Sequence, residues 1–329
     1  MILRNIDGMS FPSKLVNASR GCPISGSTDA VLVSSKDRYG KPLRNIMCQE
    51  SGLIYVDPVP FENTEEFYQT EYRKSYKGVH RPKPKHVYRA GKIALERYSR
   101  LSDLLTPSAN CLDAGSSSGE FVYLLKKRGF DAEGVEANIP YAEYSQAELG
   151  VQVSISPFSE YKTHRKFDLI TMFHVLEHLE NPVRDLSYLA GFIKPGGKLI
   201  IEVPNILYSN MAFSHKWHSG HLFSFTDKTL SMLLDNAGFK TIYCSPVGDR
   251  GNIWGVFERL EKLEGTVKPQ RDPSVAIQNY DQLMKGKWAY WFNFGNYFKF
   301  IPKLIQQLEE NKFSKAKGGK DILDNLYSS

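Results

Sequence analysis

Between about residues 109 and 260, short apolar runs alternate with stretches whose apolar positions recur every three or four residues. The short runs predict strands, and the stretches with the longer period predict helices. The predicted strands are 110–113, 132–136, 151–155, 167–173, 198–203, 240–244 and 252–259. The predicted helices are 119–128, 141–149, 183–193 and 226–237. This alternation predicts an α/β fold with a doubly wound, mostly parallel sheet of seven strands.

The segments on either side of this region have a different pattern. Residues 1–60 predict a small β-rich lobe, because short apolar runs are separated by Gly, Pro, Ser and Asn. Residues 61–108 predict a helical linker or cap, with an apolar stripe that includes Ile93, and residues 262–329 predict a helical C-terminal extension. The extension carries many aromatic rings, which we expect to pack on the main domain. The predicted cofactor-binding domain therefore occupies residues 109–261.

Composition and charge narrow the class of protein only slightly. The chain has 329 residues, 41% of them hydrophobic and 24% charged, and it lacks any apolar run long enough to span a membrane. The net charge of +6 is a mild excess for this length, so nucleic acid is not favoured as a partner. The four cysteines are scattered, which suits a reducing cytoplasm.

The most informative stretch is the turn between the first predicted strand and the first helix. Gly115 permits a tight turn near a ligand, and Gly119 allows the helix to approach the sheet. Such a turn alone is also compatible with a simple strand-to-helix connection. However, Glu136 ends the second strand 21 residues after Gly115. An acid at that point can accept hydrogen bonds from the ribose hydroxyls of an adenosine-bearing ligand.

Four segments together resemble the class I S-adenosylmethionine-dependent methyltransferases. They are Leu112 to Phe121, Gly134-Val135-Glu136, Phe167 to His178, and Leu189 through Leu199. The resemblance covers roughly residues 90–260 and implies a Rossmann-like fold with S-adenosylmethionine as cofactor. It also implies that the following residues form the cofactor site: Asp113, Gly115, Ser117, Gly119, Glu136, Asn138, Phe158, Phe173 and His174.

A methyl transfer of this kind also needs a base, and histidine has a pKa near working pH. Residues 221–226 are similar to a segment of sugar methyltransferases, and this implies His221 as the base, with His178 and His174 as second candidates. His174, Glu177 and His178 would share one helix face. Ubiquinone-pathway O-methyltransferases bind a divalent metal through a similar segment, but we expect no metal here.

The N-terminal lobe resembles the zinc ribbon that precedes many sugar methyltransferases. Ser25 and Ser51 stand where the second cysteine of each pair would be, after Cys22 and Cys48. Two thiolates are too few for structural zinc, so we expect the lobe to fold without metal. The predicted function is methyl transfer to a hydroxyl of a sugar, a nucleotide-linked sugar or another small molecule, in polysaccharide or glycoside biosynthesis. The alternatives are metal-assisted O-methylation of a quinone-like acceptor, and RNA methylation or RNA binding.

Overall fold

The computed structural model describes residues 15–61, 81–260, 269–292, 310 and 318–328. These residues divide into two compact units. The first unit lies within residues 1–62, 174–190 and 201–296, and the second within residues 63–173, 191–200 and 297–329. Among the described residues, the helices are too short or too polar to cross a lipid bilayer.

The predicted N-terminal lobe forms an antiparallel sheet of five strands. Its strands are β1 (Leu15–Asn17), β2 (Asp29–Lys36), β3 (Pro42–Cys48), β4 (Ile54–Val56) and β10 (Phe223–Ser224). They pair in the order β1-β2-β3-β4-β10. Strand β10 was not predicted from the sequence, because two residues are too few to give a periodic signal. It pairs Phe223 with Tyr55, so the lobe gains a strand from a distant part of the chain.

The predicted seven-stranded sheet is confirmed. Its strands are β5 (Asn110–Ala114), β6 (Asp131–Glu136), β7 (Val153–Ile155), β8 (Phe167–Phe173), β9 (Ile193–Pro204), β11 (Phe239–Val247) and β12 (Asn252–Arg259). They are ordered β11-β12-β9-β8-β5-β6-β7. Strand β5 pairs in parallel with β6 and β8, and β6 with β7, whereas β11 and β12 are antiparallel. The carboxyl ends of β5, β6, β7 and β8 therefore share one edge, where ligands of open α/β sheets bind.

Helices occur at most of the predicted positions in the described part of the chain. They are α1 (Pro84–Leu101), α2 (Glu120–Lys127), α3 (Ile139–Leu149), α4 (Pro182–Ala190), α5 (Asp227–Asn236), α6 (Pro273–Phe292) and α7 (Gly319–Tyr327). Short 3₁₀ turns lie at Ser102–Leu104, Phe158–Glu160, Leu176–His178 and Phe213–Lys216. Helix α5 begins with a capping box, in which Thr226 and Thr229 satisfy each other's backbone N–H groups.

Two predictions about helices were wrong in detail. Helix α4 ends at Ala190 and not at Ile193, which is buried and already belongs to β9. On α1 the expected apolar stripe included Ile93, yet its side chain is 38% exposed. The buried face instead uses small residues such as Gly91, where an added Cβ would lie 2.6 Å from Leu323 on α7. The buried face of α1 therefore combines apolar residues such as Val87 and Leu101 with the small residues that allow α7 to approach closely.

The prediction that the C-terminal aromatic rings pack on the main domain was also wrong for Trp288, Trp291 and Phe292. Trp288, Trp291 and Phe292 are 64%, 61% and 77% exposed. Helix α6 instead buries residues from its first three turns, including Tyr280 and Leu283, in a core cluster of the first unit. The remaining rings of the prediction, at positions 294, 297, 298 and 300, lie outside the described residues.

Candidate active site

The turn after β5 is a tight loop closed by backbone hydrogen bonds. The N–H groups of Gly115 and Ser116 both donate to the carbonyl of Val135, over 2.8 and 2.9 Å. Gly115, Ser117 and Gly119 all have left-handed backbones, with φ of +83°, +52° and +84°. This conformation is costly for a residue with a Cβ, so Ser117 stands where glycine is the ordinary choice.

Glu136 lies at the carboxyl end of β6 and is bonded to this loop. Its Oε2 accepts a hydrogen bond from the N–H of Ser117 over 2.7 Å, and its Oε1 accepts one from the N–H of Asn138 over 2.8 Å. Asn138 in turn caps α3, because its side-chain oxygen accepts from the N–H of Tyr141. A single carboxylate therefore fixes the ends of β5 and β6 relative to each other.

Asp113 is buried near the end of β5. Burial is the largest influence on the carboxyl and raises its pKa to about 6, although a hydrogen bond from Thr171 opposes the shift. The Thr171 hydroxyl donates to Oδ1 of Asp113 over 2.7 Å. The positive charge of Arg97 also lowers the pKa, whereas the negative charge of Glu136 raises it. Asp113 is therefore a carboxylate that a cationic ligand would stabilise.

Aromatic rings border the same edge of the sheet. Phe158 is buried in the 3₁₀ turn that follows β7. Phe173 ends β8 and meets the edge of Phe121, with ring centroids 5.2 Å apart. The guanidinium carbon of Arg97 lies 4.2 Å from the centre of the Phe173 ring. The sequence-predicted cofactor residues from Asp113 to Phe173 thus lie at the carboxyl ends of β5, β6 and β8 or in the segments that follow β5, β6 and β7.

These residues fit an adenosine-bearing cofactor with an amino-acid end. The buried hydroxyl of Ser116 lacks a hydrogen-bond partner among the described residues, so it is available to a ligand. An ionised carboxylate has about four acceptor positions, so Glu136 can accept ribose hydroxyls in addition to its two backbone donors. Gly134 allows the close approach of the loop, because a Cβ there would lie 2.5 Å from Oγ of Ser116.

His174 belongs to the other unit and is held by two carboxylates. Its Nδ1 lies 3.4 Å from Oε1 of Glu177, and its Nε2 lies 3.6 Å from Oε1 of Glu202. Burial alone would lower the pKa of His174, but these two neighbours outweigh it and raise the pKa to about 9. The same ion pairing outweighs burial at Glu177 and lowers its pKa to about 2. His174 is therefore protonated at neutral pH, which makes it a poor base.

The backbone carbonyl and N–H of Gly220 fix the proton positions on the rings of His178 and His218. Nδ1 of His178 lies 2.6 Å from the Gly220 carbonyl, which can only accept, so Nδ1 carries the proton. The N–H of Gly220 donates to Nδ1 of His218 over 2.9 Å, so that nitrogen is unprotonated. Burial, assisted by the positive charge of Arg38, lowers the pKa of His218 to about 4.

His221 packs between these two rings. Its ring centre lies 4.8 Å from that of His218 and 5.0 Å from that of His178. Burial is the main reason that the pKa of His221 falls well below its ordinary value, and the charge of His178 acts in the same direction. His221 is thus neutral at physiological pH.

Glu177, His178 and His221 also offer an arrangement suited to a metal ion. One ligand atom from each lies within 4.8 Å of the others. The predicted helix over His174, Glu177 and His178 was wrong, because the chain forms only the 3₁₀ turn Leu176–His178 and His174 has a φ of +56°. The turn still gathers the three side chains, with Nε2 of His178 lying 3.9 Å from Glu177.

Sequence reasoning missed three residues at these sites. Arg97 gave no signal because it follows an ordinary helical pattern on α1. Glu202 could have been found, since it is an acid within the apolar strand β9 and is 4% exposed. His218 was not predicted as a site residue, although it packs directly against His221.

The four ribbon positions of the N-terminal lobe also come together. The thiol of Cys22 lies 3.2 Å from the hydroxyl of Ser51, and that of Cys48 lies 3.2 Å from the hydroxyl of Ser25. All four side chains are buried, and the two thiols are free. In a zinc ribbon, the metal joins the two turns that carry these four positions. In this protein, hydrogen bonds between serine and cysteine join the same two turns.

Comparison with known proteins supports the class of this fold. A family model described as a methyltransferase domain matches residues 86–243, which is nearly half of the chain. Residues 86–243 therefore match a methyltransferase domain, in agreement with the class that the resemblance implied.

The curated relatives are O-methyltransferases of one kind. The ubiquinone biosynthesis O-methyltransferases of Rickettsia felis and Coxiella burnetii are both 32% identical to this chain, over 99 and 101 residues. These stretches are 29% of this chain and 41% and 43% of the two relatives. The chain thus spans about two fifths of the length of the curated relatives that it matches.

Solved structures of methyltransferases are also similar to the chain. A 1,6-didemethyltoxoflavin-N1-methyltransferase from Burkholderia thailandensis has a TM-score of 0.45 at 17% identity, covering 66% of this chain and 96% of that one. The N-methyltransferase NodS from Bradyrhizobium japonicum has a TM-score of 0.43 at 16% identity. The match covers 61% of this chain and 100% of that one.

Proposed function

We propose that this chain is an O-methyltransferase that transfers a methyl group from S-adenosylmethionine to a hydroxyl of a sugar or nucleotide-linked sugar. The observation that carries the proposal is the bonding of Glu136 to the loop after β5 beside a left-handed turn, because this carboxylate has further acceptor positions that suit ribose hydroxyls. The methyltransferase domain that covers residues 86–243 supports the reaction class.

The cofactor supplies a methyl group already activated by a cationic sulfur, so the protein must align the acceptor and remove one proton. In this proposal Glu136 and Asn138 hold the ribose, and Asp113 faces the amino-acid end. His221 takes the proton of the acceptor hydroxyl, because it is neutral and its neighbours His178 and His218 fix the rings around it. His174 is protonated at neutral pH, so we do not assign it the role of base.

The sugar acceptor is supported by the N-terminal lobe and the His221 segment, which resemble those of sugar methyltransferases. The sequence His218-Ser219-Gly220 departs from the Tyr-His-Glu of C-methylating members and favours a hydroxyl acceptor. Trp217 and Phe223 do not add to this support, because both are buried in the core and cannot stack on a sugar. The free thiols suit a reducing compartment, so we place the enzyme in the cytoplasm.

A second candidate is a metal-assisted O-methyltransferase acting on a quinone-like acceptor. The observation that favours it is the convergence of Glu177, His178 and His221, together with the buried carboxylate of Glu177, whose oxygens lack a hydrogen bond among the described residues. A divalent ion held there would act as a Lewis acid and ease deprotonation of the acceptor hydroxyl. The ubiquinone O-methyltransferases named above agree with this class of acceptor.

An RNA acceptor has less support. The basic segment 81–89 is the compact positive stretch of the sequence, but it runs into α1. Within it, Arg89 pairs with the buried Glu310 over 2.8 Å, so part of its charge is compensated inside the protein.

The test has two stages. Titration calorimetry with S-adenosylhomocysteine should show binding, and failure of both S-adenosylhomocysteine and S-adenosylmethionine to bind would exclude the proposed activity. Transfer of radioactive methyl is then measured to sugar nucleotides, to a catechol and to total RNA, each with and without a chelator. Methylation of sugar nucleotides that resists the chelator supports the first candidate, and chelator-sensitive methylation of the catechol supports the second.

A further inference from the structure

Arg38 lies at the tip of the hairpin that joins β2 to β3 in the N-terminal lobe, and it has no role in the function proposed so far. The N–H of Asp37 donates to the carbonyl of Lys41 over 2.8 Å, which closes the tip. The backbone N–H of Arg38 donates to the carbonyl of Trp217, also over 2.8 Å. This bond fixes the tip of the hairpin beside the histidine-bearing segment 217–221.

The positive charge of Arg38 acts on two histidines of that segment. Burial is the largest cause of the low pKa of His218, and the charge of Arg38 is the next cause in the same direction. After burial and the charges of His178 and His218, the charge of Arg38 also lowers the pKa of His221. The rings of His218 and His221 lie 4.8 Å apart. The guanidinium of Arg38 is therefore near the proposed base.

The side chain of Arg38 also offers a hydrogen-bond donor that the protein does not use. Its Nε is buried and has no hydrogen-bond partner among the described residues. A buried donor left in this way costs free energy until a ligand or a water accepts from it. The neighbouring Asp37 serves the hairpin instead, because its Oδ1 accepts from the N–H groups of Tyr39 and Lys41 over 2.9 and 2.8 Å. An anionic group of a ligand would satisfy both the donor and the charge of Arg38.

We propose that Arg38 binds an anionic group of the methyl acceptor, a carboxylate or a phosphate, while a hydroxyl of the same molecule lies at His221. The planar guanidinium has five N–H donors in a fork that matches either anion. Arg38 and His221 belong to the same compact unit, so one small molecule can reach both. The acceptor is therefore an acidic or phosphorylated sugar, and a neutral sugar is a poor substrate. This inference rests on the proposed function, because it assumes that the acceptor binds at His221.

The test changes the side chain of Arg38 and keeps the hairpin in place. Arg38→Ala retains the backbone bond to Trp217 and both bonds of Asp37, so the tip should keep its position. Arg38→Lys keeps the charge but loses the fork. Lys41→Ala is the matched control, because it removes an exposed positive charge from the same hairpin.

Ligand-observed NMR measures the affinity of the full chain and of each variant, saturated with S-adenosylhomocysteine, for three probes. Glucose 1-phosphate carries a phosphate, glucuronate carries a carboxylate, and glucose is the neutral reference. We expect an anionic sugar to bind more tightly than glucose, and Arg38→Ala to weaken it roughly ten- to a hundredfold, the range for losing a hydrogen bond to a charged group. Arg38→Lys should fall between the two, and Lys41→Ala should change the affinity by less than about twofold. The anionic sugar that loses more affinity in Arg38→Ala identifies the group as phosphate or carboxylate.

Three results would overturn the inference and leave the proposed methyl transfer standing. They are equal losses in Arg38→Ala and Lys41→Ala, equal affinity of the unmodified chain for glucose and the anionic sugars, and binding of none of the three probes. If Arg38→Ala does not fold, Arg38→Lys decides by the same comparison. Failure of the unmodified chain to bind either S-adenosylhomocysteine or S-adenosylmethionine would overturn the proposed function itself, and with it this inference.

Discussion

The backbone N–H of Ser117 donates to the carboxylate of Glu136 over 2.7 Å, and this bond joins the loop after β5 to the end of β6. Ser117 has a left-handed backbone, a conformation that a residue with a Cβ adopts at a cost. The charge-assisted bond to Glu136 offsets part of that cost. One carboxylate therefore shapes the loop and keeps further acceptor positions, which our proposal assigns to a ribose.

We predict that Glu136→Gln weakens binding of S-adenosylhomocysteine by roughly tenfold or more. The amide retains one acceptor oxygen, so either the loop or the ribose loses its partner, and a hydrogen bond to a charged group contributes about 1.5–3 kcal/mol. Titration calorimetry measures the affinity, with Glu143→Gln on the exposed face of α3 as control. An unchanged affinity in Glu136→Gln would show that Glu136 does not bind the ligand.

The pKa of Asp113 predicts how cofactor affinity depends on pH. Burial raises this pKa to about 6, so in the free protein the carboxyl is largely protonated at pH 5 and ionised at pH 7. A ligand ammonium favours the ionised form, so affinity for S-adenosylhomocysteine should rise between pH 5 and pH 7, with a proton released on binding at the lower pH. Calorimetry in two buffers of different ionisation enthalpy measures that proton.

The variant Asp113→Asn should bind more weakly at pH 7 and lose the pH dependence and the proton release. Its stability gives a second measurement of the same group. The folded pKa lies above the unfolded value of 3.8, so the folded state holds the proton more tightly. The contribution of Asp113 to the free energy of unfolding therefore falls as the pH rises from about 4 to 6. The variant Asp113→Asn lacks this contribution, so its free energy of unfolding should show less of this fall with pH. An identical slope in the two proteins would contradict the burial argument.

His221 should affect turnover and leave cofactor binding intact. Removal of a general base ordinarily costs about 10²- to 10⁴-fold in rate, so His221→Ala should lose activity by that factor. His221 lies in a different part of the chain from Glu136, and the affinity for S-adenosylhomocysteine should change by less than about twofold. The exposed His215 provides the control His215→Ala. Full activity in His221→Ala would assign the proton transfer to another group.

The sequence indicated the regular part of this fold well and the site less completely. Strand β8 was predicted at its observed bounds, because its apolar run, 167–173, is interrupted only at Asp168 and Thr171. Glu136 could be anticipated because its distance from Gly115 reflects one strand-helix-strand unit. Arg97 could not, since its position over Phe173 depends on how α1 packs against the sheet, and no local pattern encodes that packing. The same holds for Ile93, whose exposure follows from the close approach of α7 to Gly91 on the other face.

The N-terminal lobe should regain a zinc site on two substitutions. Ser25 and Ser51 lie 3.2 Å from the thiols of Cys48 and Cys22, so Ser25→Cys and Ser51→Cys together complete four sulfur ligands. The double variant should bind one equivalent of zinc and melt at a higher temperature with the metal than with a chelator. Adding Cys22→Ala to it should weaken the binding strongly. Failure of the double variant to bind zinc would show that the four positions are not arranged as in a ribbon.

Substitution of two glycines distinguishes the free energy lost to a left-handed backbone from the free energy lost to a steric clash. Gly119 and Gly150 are both left-handed, with φ of +84° and +65°. A Cβ on Gly119 would lie 2.6 Å from Cβ of Ser145, whereas one on Gly150 would have nothing within 4 Å. Gly150→Ala should therefore lose only the conformational term of about 1–2 kcal/mol, and Gly119→Ala that term plus about 1–3 kcal/mol of overpacking. Chemical denaturation measures both free energies of unfolding. Gly119 also caps α2 beside the loop after β5, so Gly119→Ala, and not Gly150→Ala, should weaken the binding of S-adenosylhomocysteine. Equal losses of unfolding free energy in the two variants would mean that the helix can shift away from Ser145.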